Sequence, residues 1–163
     1  MSRYIIFNVS IVVISLMGFT SITFAQDSDA HEDFSPILLE NLEWFDYQPS
    51  GFGSGLMVTV ILGDPSVEGE PYVIRASFPD GYIIPPHIHP QAENLTMLSG
   101  KLLMGKGEHF DDTKLMSYKA GDFLYIPAEH PHFGKTVGPT VFQLHGIGPF
   151  ETILVEEMVG GHN

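Results

Sequence analysis

The stretch Gly81-Tyr-Ile-Ile-Pro-Pro-His87-Ile-His89-Pro-Gln-Ala-Glu93-Asn-Leu-Thr-Met-Leu-Ser-Gly100 decides how this chain is read. His87 and His89 are two residues apart. On an extended strand, residues i and i+2 point to one face, so two imidazoles reach one point without any special turn. Glu93 follows after the Pro90-Gln91-Ala92 bend, where a new strand is expected to begin. Pro85 and Pro86 stiffen the approach, and glycines close the stretch at both ends. His132, directly after Pro131, is the residue by which a distant strand folds back onto the pair. Three imidazole nitrogens and one carboxylate oxygen suit a divalent transition ion and leave coordination positions open. His87, His89, Glu93 and His132 are therefore the candidate metal ligands.

Outward from this stretch the pattern is short apolar or alternating runs: 56–62, 72–78, 95–98, 101–104, 123–126, 141–144 and 152–155. Turn residues separate them, at Gly63-Asp64-Pro65, Pro79-Asp80-Gly81, Ser99-Gly100, Ala120-Gly121-Asp122 and Gly138-Pro139. Many evenly spaced short strands predict an all-β sandwich or barrel. No helical period is evident beyond one turn around residues 110–114. No repeat or second domain is visible. Gly51-Phe-Gly-Ser-Gly55 lacks the lysine and helix start of a phosphate cradle and reads as a flexible turn.

The spacing Gly81, five residues, His87, one residue, His89, three residues, Glu93, six residues, Gly100 resembles the first motif of the cupin superfamily at every position. Gly121, five residues, Pro127, then His132 resembles the second. Glu129 stands where that motif usually has glycine, and Thr136 where it often has asparagine. The resemblance covers roughly residues 56–155. It implies a double-stranded β-helix, the jelly-roll cupin barrel, over residues 41–158, one divalent metal ion held by the four ligands above, and a homodimer.

Strand parity sorts the neighbours. Leu95 and Met97 share a face with Glu93 and should wall the barrel. Of the two sets Val141, Gln143, His145 and Phe142, Leu144, one must face inward. If it is the first, Gln143 and His145 approach the ion as hydrogen-bond donors or substrate contacts. Tyr125 is a further candidate catalytic group, by way of its hydroxyl, with plain core packing as the competing use. His130 is a weaker ligand candidate, and His31, His109 and His162 read as spectators. Phe110-Asp111-Asp112 reads as a solvated turn.

The 163 residues carry 20 acidic and 7 basic side chains, a formal charge of −13. Such a surface repels phosphate backbones and anionic membranes, so nucleic acid is excluded as a partner and solubility is the plain reading. Arg3, the apolar run 5–19 and Thr23-Phe24-Ala25 have the layout of a secretory signal peptide over residues 1–25. Residues 26–40 are expected to form a flexible leader and 159–163 a frayed tail. A secreted or periplasmic location follows, with no membrane contact after cleavage. There is no cysteine, so no disulfide staples the fold.

Outside the cytosol the affinity order favours copper and zinc, and the carboxylate ligand pulls toward harder ions. Copper or iron is the favoured ion, with zinc, manganese and nickel behind. The expected function is an oxidoreductase using dioxygen or peroxide on a small organic molecule or a carbohydrate, with Glu93 able to act as a base. A non-redox lyase or isomerase, or a sugar- or metal-binding module without turnover, are the alternatives.

Overall fold

The structure is a computed structural model that describes residues 36–155. The expected signal peptide, most of the leader, the tail, His31 and His162 lie outside the described residues. Nine strands form the fold: β1 (Phe45–Asp46), β2 (Met57–Leu62), β3 (Pro71–Phe78), β4 (Ile83–Ile88), β5 (Glu93–Lys106), β6 (Met116–Lys119), β7 (Phe123–Ile126), β8 (His132–Ile147) and β9 (Ile153–Leu154). Among the described residues the helical elements are the short 3₁₀ turns Leu39–Asn41 and Asp112–Lys114. The all-β expectation holds.

All strand pairs are antiparallel, and the sheet folds back on itself along β5 and β8. The first half of β5 (94–99) and the second half of β8 (140–147) pair with each other, with β7 and β3 outside them. The second half of β5 (101–106) pairs with the first half of β8 (132–137), flanked by β6 and β4. Ser99-Gly100 and Gly138-Pro139 are thus corners inside two long strands, and the expectation of turns there is corrected. The sheet needs local kinks to double over, and the register shifts on both sides of Ser99 supply them. Gly100 has φ +73°, and a Cβ there would lie 2.3 Å from the Pro139 carbonyl oxygen. Only glycine fits so close a backbone crossing. Thr140, fully buried, ties the corner by accepting from the Lys101 N–H at 3.2 Å.

The core fills the inside of the fold. Ile74, Ala76 and Phe78 on β3, Leu95 and Met97 on β5, Leu124 and Ile126 on β7, and Phe142 and Leu144 on β8 alternate inward and are all buried. Phe78 stacks on Phe142 at 4.9 Å and meets Tyr82 edge-on at 5.2 Å. Each such side chain contributes about 1.5–3 kcal/mol by leaving water.

Phe133 faces the opposite way from His132 and is also fully buried. Its ring lies 5.0 Å from that of Phe110, and Gly105 leaves room for it, since a Cβ there would sit 2.7 Å from the ring. The 110–112 segment, expected to be a solvated turn, is therefore pinned to the sheet through Phe110. Its acids remain polar: Asp111 accepts from the Thr113 N–H at 2.9 Å and caps the 3₁₀ turn.

Candidate metal centre

Each proposed ligand is placed by a local feature of sequence. On β4, Ile84 pairs with Gly134 and His87 with His132, so β4 carries one extra residue between the two pairs. Pro85 and Pro86 occupy this bulge, where the ladder needs no N–H from them. The extra residue also restores parity: Ile84 and His87, three apart, both turn inward and both are buried. His89 follows just beyond the strand. Glu93 opens β5, and His132 opens β8 opposite His87.

The nitrogens of His87, His89 and His132 that face one another lie within 4.8 Å of one another. The Glu93 carboxylate joins them, 3.7 Å from Nε2 of His89 and 3.5 Å from Nε2 of His132. All four residues are at most 5% exposed.

The outer nitrogens settle the tautomers. Nδ1 of His87 lies 2.7 Å from the Pro85 carbonyl, Nδ1 of His89 2.6 Å from the Glu151 carbonyl, and Nδ1 of His132 2.9 Å from the His130 carbonyl. A carbonyl oxygen only accepts, so each Nδ1 carries the proton and each Nε2 turns a lone pair inward. Three lone pairs and a carboxylate then face one another with no hydrogen between them. Nε2 of His89 and Oε2 of Glu93 have no hydrogen-bond partner. Burial works against adding a proton at two of the three imidazoles. Burial, with His132 and His89 beside it, pushes the His87 imidazole down to about 3, and burial likewise lowers His89. Burial alone would raise the Glu93 carboxyl, but the imidazoles of His89, His132 and His87 bring it to about 2, so it stands as a carboxylate. Four buried acceptors facing one point are satisfied together by a cation, and the residues present fit a divalent transition ion.

Aromatic rings hold the ligands. Phe150 stacks on His89 at 4.9 Å and Phe52 meets His87 edge-on at 5.4 Å. In front of the ligands a cavity of about 50 Å³, open at its mouth, is walled almost entirely by apolar side chains, among them Ile74, Phe78, Leu95 and Leu144.

A family model described as the cupin domain matches residues 74–145. This chain carries a cupin domain. Among solved structures, the polyketide cyclase RemF from Streptomyces resistomycificus is similar at 14% identity and TM-score 0.62, covering 75% of this chain and 85% of that one. KdgF from Halomonas sp. is similar at 16% identity and TM-score 0.53 (71% and 94% covered). The cupin-2 domain Rru_A2000 from Rhodospirillum rubrum is similar at 12% identity and TM-score 0.57 (78% and 93% covered). At these identities the likeness is one of fold. No curated protein matches the chain in sequence.

The cupin barrel leaves three sequence candidates outside the site. Phe142 and Leu144 take the inward positions of β8, so Gln143 and His145 face out; Gln143 accepts from Nε of Arg75 at 3.1 Å and His145 is exposed. Leu124 and Ile126 take the inward positions of β7, so Tyr125 faces out at 62% exposure. All three corrections have one cause: the more apolar alternate set wins the interior, because burying it removes more apolar surface from water. His130 contributes its backbone carbonyl to His132 rather than its ring. Sequence reasoning missed Phe150 and the Glu151 carbonyl, which depend on how the chain returns after Gly148-Pro149. It placed Phe52 only within the glycine-rich turn at residues 51–55.

The two departures from the second cupin motif have distinct outcomes. Thr136 accepts from the Tyr82 N–H at 2.9 Å and donates to the Pro79 carbonyl at 2.6 Å, fastening the turn before β4. Glu129 adopts φ +57°, the left-handed conformation that glycine prefers, and its N–H donates to the His89 carbonyl at 2.8 Å. A non-glycine residue there costs about 1 kcal/mol. Glu129→Gly is therefore expected to keep or raise stability by up to about 1 kcal/mol; a thermal melt showing a large loss would contradict the strain argument.

The buried imidazoles also set the response to acid. His87 titrates at about 3 when folded against an ordinary 6.5, so the unfolded chain binds protons first as pH falls. Metal-free protein should lose about 1 kcal/mol per pH unit from His87 alone below about pH 6.5, with His89 acting in the same direction. Glu93, lowered from 4.5 to about 2, contributes stability above pH 4.5 that is lost as pH falls through about 2. Melting chelator-treated protein at neutral pH and near pH 5 checks this. An unchanged Tm would contradict buried neutral histidines.

Proposed function

We propose that this chain is an exported metal-dependent enzyme that uses dioxygen or peroxide to oxidise a small, largely apolar organic substrate. The observation that carries this reading is the set of three inward Nε2 lone pairs and one carboxylate at the end of an apolar cavity. Copper or iron is the proposed ion, and when bound it would supply the redox couple and open positions for oxidant and substrate. The chain's own groups do the rest. Phe52 and Phe150 fix the imidazole planes of His87 and His89. The apolar wall excludes water and favours an aromatic or aliphatic body over a sugar, which would leave its hydroxyls without partners. Glu93 is the one carboxylate lining the cavity among the described residues, and it is placed to take a proton from a substrate hydroxyl.

A second reading is a lyase, isomerase or cyclase in which the ion only polarises the substrate. The Glu93 carboxylate favours it, since it lines the cavity where a substrate proton would be taken. One of the similar folds is that of a polyketide cyclase.

Metal analysis of the protein from its native compartment, followed by oxygen or peroxide uptake with a panel of phenolic and aliphatic substrates, tests the proposal. Copper or iron with substrate-dependent uptake supports it. Zinc or nickel, with turnover and no uptake, contradicts it in favour of the second reading.

A further inference from the structure

The barrel is not closed on every side. β6 and β7 each pair only with β5, in opposite halves of the folded sheet. A groove runs along the seam between their free edges. It encloses about 580 Å³, against about 50 Å³ for the metal cavity. Leu124 and Ile126 form its floor. Met104 and His132 line both cavities and form the wall between them.

The groove has two unlike ends. Because β5 doubles back at its corner, Glu93 and Lys106 both lie at the metal end of the barrel, and the 119–123 turn lies at the far end. Tyr118 and Phe123 border the groove at that far end. Lys106, Lys114 and His130 border it at the metal end. No acidic residue lines it, although the chain as a whole carries 20 acids against 7 bases. Five of those seven bases, lysines 101, 106, 114, 119 and 135, fall in the segment that builds this side of the molecule. Lys135 is paired with Asp112. Lys114 is only loosely paired, 3.7 Å from Asp111 on the exposed surface, where such a pair is worth little. Lys106 has no ion-pair partner among the described residues. An acid-free, lysine-rimmed cleft on so acidic a chain is complementary to an anion. Its aromatic far end is complementary to a flat apolar body.

We propose that the seam between β6 and β7 is a second ligand site, distinct from the metal cavity, that binds an aromatic carboxylate. The ring system lies against Tyr118 and Phe123, and the carboxylate meets Lys106 and Lys114. The size fits: the groove's 580 Å³ falls within the about 300–1000 Å³ usual for small-molecule sites. The proposal is independent of the oxidative reading.

The test uses 2-naphthoate as probe and the protein as purified. Methionine methyl groups labelled with ¹³C report the location. Met116 is 63% exposed and lines the seam but not the metal cavity; Met97 is sealed in the core. The expected result is saturable binding that shifts the Met116 methyl signal and leaves Met97 in place. Binding should weaken at high salt. It should also weaken about tenfold or more when the neutral 2-naphthamide replaces the acid, or in the double variant Lys106→Glu, Lys114→Glu. Both lysines are exposed at their tips, so the variant should fold, and an unmoved Met97 signal verifies it. Equal affinity for acid and amide, or binding that shifts other methyls and not Met116, overturns the proposal. Salt-independent binding of the unmodified protein overturns it without recourse to any variant.

Discussion

Replacing His89 with alanine is expected to strip the protein of its ion while leaving the barrel folded. The ring supplies one of three inward Nε2 atoms, and its Nδ1 is already held by the Glu151 carbonyl at 2.6 Å. No other nitrogen base among the described residues points into the site, because His145 faces out and His130 offers only its carbonyl. Loss of a residue that merely orients a ligand costs about 10–100-fold in metal affinity, so loss of the ligand itself should exceed about 100-fold. Folding should survive, since the substitution also removes a buried imidazole whose protonation the site resists. Glu93→Gln is the milder companion: it keeps an oxygen donor of the same shape and removes the charge, so it should weaken binding less than His89→Ala. If Glu93 is the working base, the same variant should lose turnover out of proportion to its loss of metal. Metal content after dialysis, with calorimetric titration of the metal-free variants, checks both. Full occupancy in His89→Ala would contradict the ligand assignment.

Phe133→Ala should be among the most destabilising single changes in the chain, by about 3–5 kcal/mol. The ring is fully buried between the sheet and Phe110, over the floor left by Gly105. Nothing nearby can collapse into the space, because β5 and β8 are fixed there by their ladder, with Met104 opposite Gly134 and Gly105 opposite Phe133. For a domain of this size the loss should lower Tm by more than about 10 °C. Metal affinity should fall as well, since Phe133 adjoins His132 and anchors the strand that presents it. A melt within a few degrees of the unmodified protein would show that the packing against Phe110 is dispensable.

Much of this was legible in the sequence, and the reason is parity. His87 and His89 share a face by their spacing, Glu93 follows a proline bend, and Leu95 and Met97 continue the inward set; local rules fix all of these. The single-residue bulge at Pro85-Pro86 was not legible, because a bulge is a property of two strands in register. The corners at Gly100 and Gly138 looked like chain reversals because the same glycines serve both purposes; only the pairing of 94–99 and 101–106 with one partner strand tells them apart. The outward turn of Tyr125, Gln143 and His145 could have been found from sequence by comparing the apolar character of the alternating sets. The Phe150 and Glu151 contacts could not, since they rest on a loop return that no local pattern encodes.

The most direct measurement of the central claim is the metal stoichiometry of the purified protein, with X-ray absorption spectra to identify the donor atoms, set beside the same data for His132→Ala. One ion per chain, showing imidazole and carboxylate donors and absent from the variant, is the predicted result. A protein that takes up no divalent ion, or that holds it equally well without the residue-132 imidazole, would contradict it.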